Sequence, residues 1–229
     1  AYRTGQVPPL WNKSEICPIF KNKGDAQDCK NYRGISLMSH VGKVYERILE
    51  HRLRSKVEET LSEEQSCFRP GRGTVDQISA LKIFLEKSWE FGMEKHICFL
   101  DLEKAFDRVP RAKMWSVIAE TGISTQLLQA IKSTYHNQES TVTGGRDSFS
   151  VSTGVRQGSV LSPLLFIVYL DRVMKEVPQT DSAECFAYAD DIAQVANTKE
   201  QLERIMDMWM QAFRKYGLKP NVGKTECMM

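Results

Sequence analysis

The sequence predicts an α+β fold, an antiparallel sheet with helices packed on one face, and two stretches and the order of elements carry that expectation. His96 to Asp101 (HICFLD) is a short, nearly continuous apolar run, the mark of a buried strand, and it ends in a carboxylate. Cys185 to Val195 places two apolar runs around Asp190-Asp191, which reads as a tight β-hairpin with its acidic pair at the bend. From Ile97 onward the order is strand, helices, hairpin, helix, hairpin, helix, strand. That mixed order argues for α+β.

Taken in order, residues 1–37 read as irregular and polar, broken by Gly24 and by the turn at Asn31-Tyr32-Arg33-Gly34. From Ser39 the spacing of Val41, Val44, Tyr45, Ile48, Leu49, Leu53 and Val57 predicts an amphipathic helix to about Glu59. Lys43, Arg47, Arg52, Arg54 and Lys56 lie on its other face. A breaker-rich loop, Phe68-Arg69-Pro70-Gly71-Arg72-Gly73, precedes a helix capped by Thr74 and running to Gly92. After the His96–Asp101 strand, Pro110 opens a helix that Gly122 closes, and Thr125 to Tyr135 makes another. Ser140–Thr143 and Ser148–Thr153 form a hairpin around Gly144-Gly145, and Ser162-Pro163 starts a buried helix to about Val177. Beyond the acidic hairpin, a helix from Thr198 to Tyr216 is stopped by Gly217, and a last strand lies near Thr225 to Met228. Residues 1–92, mostly helix and loop on this reading, would form a separate lobe.

At 229 residues the chain can bury a substantial core, and 41% hydrophobic with 26% charged residues is the balance of a soluble globular protein. The longest apolar run, Leu164 to Leu170, is too short to span a bilayer. The polar start with Pro8-Pro9 has no signal-peptide pattern. Residues 1–72 hold 13 Lys+Arg against 9 Asp+Glu, or +4, and the remainder carries −2. A basic front beside an acidic centre suits a phosphate-rich partner and a metal site. The six cysteines are scattered without a CxxC pair and without histidines at zinc-ligand spacing, so they read as reduced intracellular thiols.

The acidic doublet carries the chemistry. Two adjacent like charges repel, and a bound divalent cation is the usual way to make such a pair favourable. The plainer alternative is a solvated turn, since Asp is a common turn residue. If the hairpin pairs beside the strand ending at Asp101, three carboxylates converge at one end of a sheet. Neighbouring strands lie roughly 5 Å apart, which suits two Mg²⁺ about 4 Å from each other. Consecutive strand residues point to opposite faces, so the sequence does not seat both members of the doublet; Asp190 takes the firmer role.

Six motifs then carry a resemblance. They are Asn31-Tyr32-Arg33-Gly34-Ile35-Ser36-Leu37, Phe68-Arg69-Pro70-Gly71-Arg72 and Phe99-Leu100-Asp101-Leu102-Glu103-Lys104-Ala105-Phe106-Asp107. They continue with Gly154-Val155-Arg156-Gln157-Gly158-Ser159-Val160-Leu161-Ser162-Pro163, Tyr188-Ala189-Asp190-Asp191, and Gly217-Leu218 with Asn221 and Lys224-Thr225-Glu226. In this order and spacing the chain resembles the reverse transcriptase domain of non-LTR (LINE-type) retrotransposons over nearly all of its length. Gly34 stands where that family often has proline.

The resemblance implies a right-hand polymerase performing RNA-templated DNA synthesis. Fingers would span 1–92, with some elements interleaved later, and a palm 93–229, in a single reverse transcriptase domain. The thumb would be absent and the chain would be part of a longer polyprotein. Asp101 and Asp190 would bind two Mg²⁺ (Mn²⁺ as an alternative), with Asp191 assisting and the Phe99 backbone carbonyl facing a metal. Lys224 would protonate departing pyrophosphate, with a solvated surface lysine as its plainer reading. Phe106 would exclude a ribose 2′-OH, Gln157 and Gly158 would lie under nucleotide and template, and Lys21 and Arg33 would hold the triphosphate. Arg69, Arg72 and Tyr188 would contact nucleic acid. The implied partners are an RNA template, a DNA primer or target and dNTPs, with no membrane, in an intracellular ribonucleoprotein of nucleus and cytoplasm. The oligomeric state stays open. A truncated remnant that only binds RNA or DNA is the alternative, which the intact carboxylates oppose. An RNA-dependent RNA polymerase is disfavoured by Phe106 and the Tyr-Ala-Asp-Asp turn.

Overall fold

Helices and strands are mixed through the computed structural model, which describes residues 1–177 and 183–228. In chain order the main elements are β1 (Lys13–Phe20), β2 (Tyr32–Met38), α1 (His40–Val57), α2 (Thr74–Glu90), β3 (His96–Leu100), α3 (Ala105–Arg108), α4 (Arg111–Glu120) and α5 (Thr125–Ser133). They continue with β4 (Glu139–Val142), β5 (Ser148–Ser150), α6 (Ser162–Met174), β6 (Ala183–Tyr188), β7 (Asp191–Ala196), α7 (Lys199–Tyr216) and β8 (Glu226–Met228). The chain packs as two units, Ala1–Val57 with Arg111–Leu165, and Glu58–Pro110 with Phe166–Met229. Residues 58–92 thus pack with the second unit, while 1–57 belong to the first.

In the first unit, β1 and β2 form an antiparallel hairpin from Ser14↔Met38 to Phe20↔Tyr32. This corrects the expectation that residues 1–37 are irregular. Pro18 hid the strand, because proline cannot donate to a central ladder. Here β4 pairs with β1 only over Lys13–Ile16, so Pro18 lies where one side of the strand is open. The sheet order is β2-β1-β4-β5.

The face of α1 is also corrected. Its buried stripe is Gly42, Glu46, Leu49, Glu50, Leu53 and Val57. Val41, Val44 and Ile48, expected inside, are exposed. Two buried glutamates displace them because each has a cationic partner. Arg156 Nη2 lies 2.6 Å from Glu46 Oε1, and Arg54 Nε lies 2.6 Å from Glu50 Oε1. A polarity pattern scores such positions as outward-facing; Leu49, Leu53 and Val57 are buried as expected, and Gly42, Glu46 and Glu50 complete the stripe in place of Val41, Val44 and Ile48.

The second unit holds an antiparallel sheet in the order β6-β7-β3-β8. Helix α7 packs on β7 and β3, and its buried Trp209 donates from Nε1 to Gln194 Oε1 at 3.0 Å. Thr198 caps α7 by accepting from Gln201 N, and Gly217 ends it at φ +74°, both as the sequence indicated. Helix α2 starts from Gly73 rather than from Thr74. The Gly73 amide donates to Asp76 Oδ2 at 2.6 Å, which places the cap one residue earlier. Strand β3 is buried on both faces, as the apolar run predicted. Leu164 to Ile167 and Tyr169 to Leu170 of α6 are fully buried, and each such apolar side chain contributes about 1.5–3 kcal/mol. Among the described residues no helix is long and apolar enough to cross a membrane.

Candidate active site

The site is built at one end of the second unit's sheet. Tyr188↔Asp191 is the last pair of the β6–β7 hairpin, leaving Ala189 and Asp190 as a two-residue bend. Ala189 sits at φ +54°, in the left-handed region. For a residue with a Cβ that conformation costs roughly 1–2 kcal/mol. A positive φ at the first central position matches the hairpin-type turns that suit the strand twist. The register Leu100↔Ile192 brings the residue after β3, Asp101, into line with Asp191. Asp101 and Asp191 therefore stand as cross-strand neighbours, and Asp190 precedes them on the bend.

The turn after α7 closes on Asp101. Pro220 bridges to Leu102, and the Asn221 amide donates to the Asp101 carbonyl at 2.8 Å. The Asn221 side chain donates from Nδ2 to Asp101 Oδ2 at 2.9 Å. The Lys224 ammonium stands 2.9 Å from that same oxygen. Asn221 also shapes the turn, its carbonyl accepting from the amides of Lys224 and Thr225 and from Thr225 Oγ1. Sequence reasoning gave Asn221 a motif position but no role. Its signal was the Asn followed four residues later by Thr, a local hydrogen-bonding pair.

Burial raises the Asp190 carboxyl above its ordinary pKa, and repulsion from Asp191 and Asp101 adds to this while Lys224 opposes it. Asp191 is likewise raised by partial burial and by Asp101, and lowered by Lys224. These are the marks of a carboxylate group short of positive charge. As the side chains stand, no three His, Cys, Asp or Glu among the described residues are arranged to hold one metal ion. The expected convergence therefore holds at the level of the sheet end and not of a closed ligand cluster. The Lys224 ammonium is the positive charge on Asp101. The oxygen-only donor set fits a hard divalent ion, and Asp101, Asp190 and Asp191 are the residues that would hold it. Phe99 lies in mid-ladder between Ala193 and Glu226.

A cavity of about 420 Å³ opens beside these carboxylates, with Asp101, Asp191, Lys224 and Tyr188 among its walls. Phe106 of α3 is half-buried, its ring stacked 4.6 Å from Phe166. Arg69 is buried and committed inside its own loop: it donates to Glu58 Oε1 at 2.8 Å and to the carbonyls of Ser62 and Gln65. Arg72 pairs with the Glu63 side chain and carbonyl. Both arginines thus build the 58–72 loop.

The remaining expected site residues lie in the first unit. Lys21 follows β1 and Arg33 pairs with Ile19, so strand alternation gives the two exposed cations one face at the end of the hairpin. Lys21 Nζ donates to the Lys30 carbonyl at 2.8 Å. Gln157 and Gly158 dock on β2 through Ser36, whose amide donates to the Gln157 carbonyl at 2.6 Å. Gly158 has φ +108°, and a Cβ there would meet the Ser36 carbonyl oxygen at 2.7 Å, so only glycine fits. The loop is held from both ends by Glu46, which accepts from Arg156 Nη2 at 2.6 Å and from Ser159 Oγ at 2.7 Å.

A family model described as reverse transcriptase (RNA-dependent DNA polymerase) matches residues 19–229. The chain belongs to the reverse transcriptase family. Its relatives are RNA-directed DNA polymerases of non-LTR retrotransposons, as the motifs implied. It is 31% identical to the RNA-directed DNA polymerase from mobile element jockey of Drosophila funebris, over 96% of this chain and 25% of that protein. It is 27% identical to the retrovirus-related Pol polyprotein from type-2 retrotransposable element R2DM of Drosophila melanogaster, over 85% of this chain and 19% of that protein. The chain thus spans about a quarter or less of these relatives' length. Among solved structures, telomerase from Candida albicans in complex with a TWJ fragment of telomeric RNA matches 100% of this chain and 44% of its own, with a TM-score of 0.76 and 12% identity. Apo telomerase from Candida tropicalis truncated from its C-terminal domain matches 97% of this chain and 51% of its own, at 0.73 and 15%. This likeness is one of fold, a mixed helix and sheet reverse transcriptase architecture.

Proposed function

We propose that this reverse transcriptase domain is the catalytic core of an RNA-directed DNA polymerase, joining dNTPs to a primer 3′-OH on an RNA template. The observation that carries the reading is the alignment of Asp101 with Asp191 and Asp190 at one sheet end, with the Lys224 ammonium as their counter-ion. Nucleotidyl transfer needs a deprotonated 3′-OH and a neutralised pyrophosphate, the chemistry that two bound Mg²⁺ or Mn²⁺ ions supply. Asp101 and Asp190 would hold these ions, assisted by Asp191 and the Phe99 carbonyl. Asn221 keeps Asp101 oriented, and Lys224, beside the carboxylates, gives a proton to the departing pyrophosphate.

Phe106 lies under the sugar and excludes the 2′-OH. In the first unit, Lys21 and Arg33 hold triphosphate oxygens, and the loop of Gln157 and Gly158 supports nucleotide and template. Tyr188 and Arg72 contact nucleic acid from the second unit. Finger and palm roles follow the division at 92/93, which the packing boundaries at 57/58 and 110/111 cross. The polymerase works inside the cell, in nucleus and cytoplasm, as a ribonucleoprotein. Extension of a DNA primer on an RNA template, with Mg²⁺ and with chelator, tests this reading. Template binding that persists without any metal-dependent extension supports a binding-only role instead.

A further inference from the structure

Gln65 is fully buried beneath the acidic bend, 124 residues away in sequence. Its Oε1 accepts from the Ala189 amide at 3.0 Å and from the Cys67 amide at 3.0 Å. The backbone around it pairs with the outer edge of β6. The Ala187 amide donates to the Glu64 carbonyl at 2.9 Å, and the Ser66 amide donates to the Ala187 carbonyl at 3.1 Å. Gln77 Nε2 ties this edge down by donating to the Glu64 carbonyl and to Ser66 Oγ, each at 2.7 Å. Arg69 anchors the carbonyl of Gln65 itself at 3.1 Å.

The placement has a purpose that core packing does not need. Ala189 is the one residue of the bend held at positive φ, and it immediately precedes Asp190. A non-glycine residue keeps that conformation only when its surroundings over-determine it. The Ala189 amide, turned into the protein, is met by the Gln65 acceptor. We propose that Gln65 is a positioning residue that locks the Ala189 bend and thereby presents the Asp190 and Asp191 carboxylates for divalent-cation binding.

This deepens the polymerase reading and rests on its assignment of the carboxylates. Removing the acceptor lets the bend relax toward negative φ, which turns Asp190 away from Asp101. Placing glycine at 189 removes the steric cost of positive φ and with it much of the need for the clamp.

The test is Mn²⁺ binding by calorimetry to the wild-type chain, Gln65→Met, and Gln65→Met combined with Ala189→Gly. Asp190→Asn serves as the measure of binding outside the site, and circular dichroism checks folding. Gln65→Met is expected to weaken the Asp190-dependent binding about tenfold, the equivalent of about 1.4 kcal/mol. Adding Ala189→Gly is expected to recover at least half of that loss, a rescue that a purely structural Gln65 would not give. Binding by folded Gln65→Met within twofold of wild type overturns the proposal. Should Gln65→Met fail to fold, hydrogen exchange in the wild type decides. A slow Ala189 amide supports the clamp, and one as fast as an open loop overturns it. A wild type that binds Mn²⁺ but extends no primer overturns the polymerase reading and leaves the role of Gln65 standing. A wild type that binds no Mn²⁺ at this site overturns both.

Discussion

The Lys224 ammonium and the Asn221 side-chain amide meet on a single oxygen, Oδ2 of Asp101, each at 2.9 Å. The pair differs in kind. Asn221 is held by its own backbone bonds to Asp101 and to Thr225, whereas the Lys224 side chain is 63% exposed. Asn221 orients the carboxylate, and Lys224 balances its charge.

Lys224→Met should therefore split binding from turnover. Exposed pairs contribute 0–1 kcal/mol, so losing the competing charge should tighten Mn²⁺ binding by no more than about fivefold. Turnover should fall, because the proton donor for pyrophosphate is gone. Calorimetry and single-turnover extension on the same preparation check both halves. Weaker binding would show that Lys224 is not a competitor for the site.

Asp190→Asn should stabilise the chain while abolishing cation binding. A carboxyl raised in the folded state binds protons more tightly there than when unfolded. Its destabilising effect is present in full above the folded pKa and fades as pH falls through the carboxylate range toward the unfolded value. At neutral pH the substitution should add roughly 0.5–2 kcal/mol, and the gain should vanish in acid. Thermal unfolding at two pH values tests this. Saturating Mg²⁺ should raise the wild-type Tm and leave that of Asp190→Asn unchanged.

The Glu46–Arg156 pair should behave as a buried ion pair does. Both side chains are 1% exposed, and among the described residues Arg156 Nε and Nη1 have no hydrogen-bond partner. Glu46→Gln strands a buried guanidinium and should cost about 3–5 kcal/mol. Replacing both residues, as Glu46→Leu with Arg156→Met, should recover much of that loss. Chemical denaturation measures both, and the loop of Gln157 and Gly158 should loosen in the single variant, as seen by proteolysis.

Phe106→Ala should admit ribonucleotides. An overpacked contact costs about 1–3 kcal/mol, so the dNTP to rNTP ratio should fall by one to two orders of magnitude. Losing the stack on Phe166 should also cost roughly 2 kcal/mol, less than a fully buried Phe→Ala because the ring is half-exposed. An unchanged ratio with activity retained would make Phe106 a packing residue only.

What was legible in the sequence depended on the range of the interaction. The β3 strand and the Thr198 and Gly217 caps rest on local patterns and stand where those patterns placed them, while the acidic hairpin forms with its bend one residue earlier, at Ala189-Asp190, so that Asp191 opens β7. Strand β1 was missed because Pro18 argues against a strand wherever the open side of the ladder is unknown. The buried face of α1 was misjudged because Glu46 is made welcome by Arg156, 110 residues on. For the same reason nothing local marked Gln65, or gave Asn221 its hold on a carboxylate 120 residues earlier.

The proposed polymerase role puts metal-dependent DNA synthesis on RNA at the carboxylates of this bend. Incorporation of one dNTP onto a DNA primer paired with an RNA template, followed against Mg²⁺ concentration in wild type and Asp190→Asn, tests it most directly. The expected result is saturable, Mg²⁺-dependent incorporation by the wild type and a loss of at least a hundredfold, about 2.7 kcal/mol, in a folded Asp190→Asn. Equal incorporation by the two, or incorporation that ignores Mg²⁺, would contradict it.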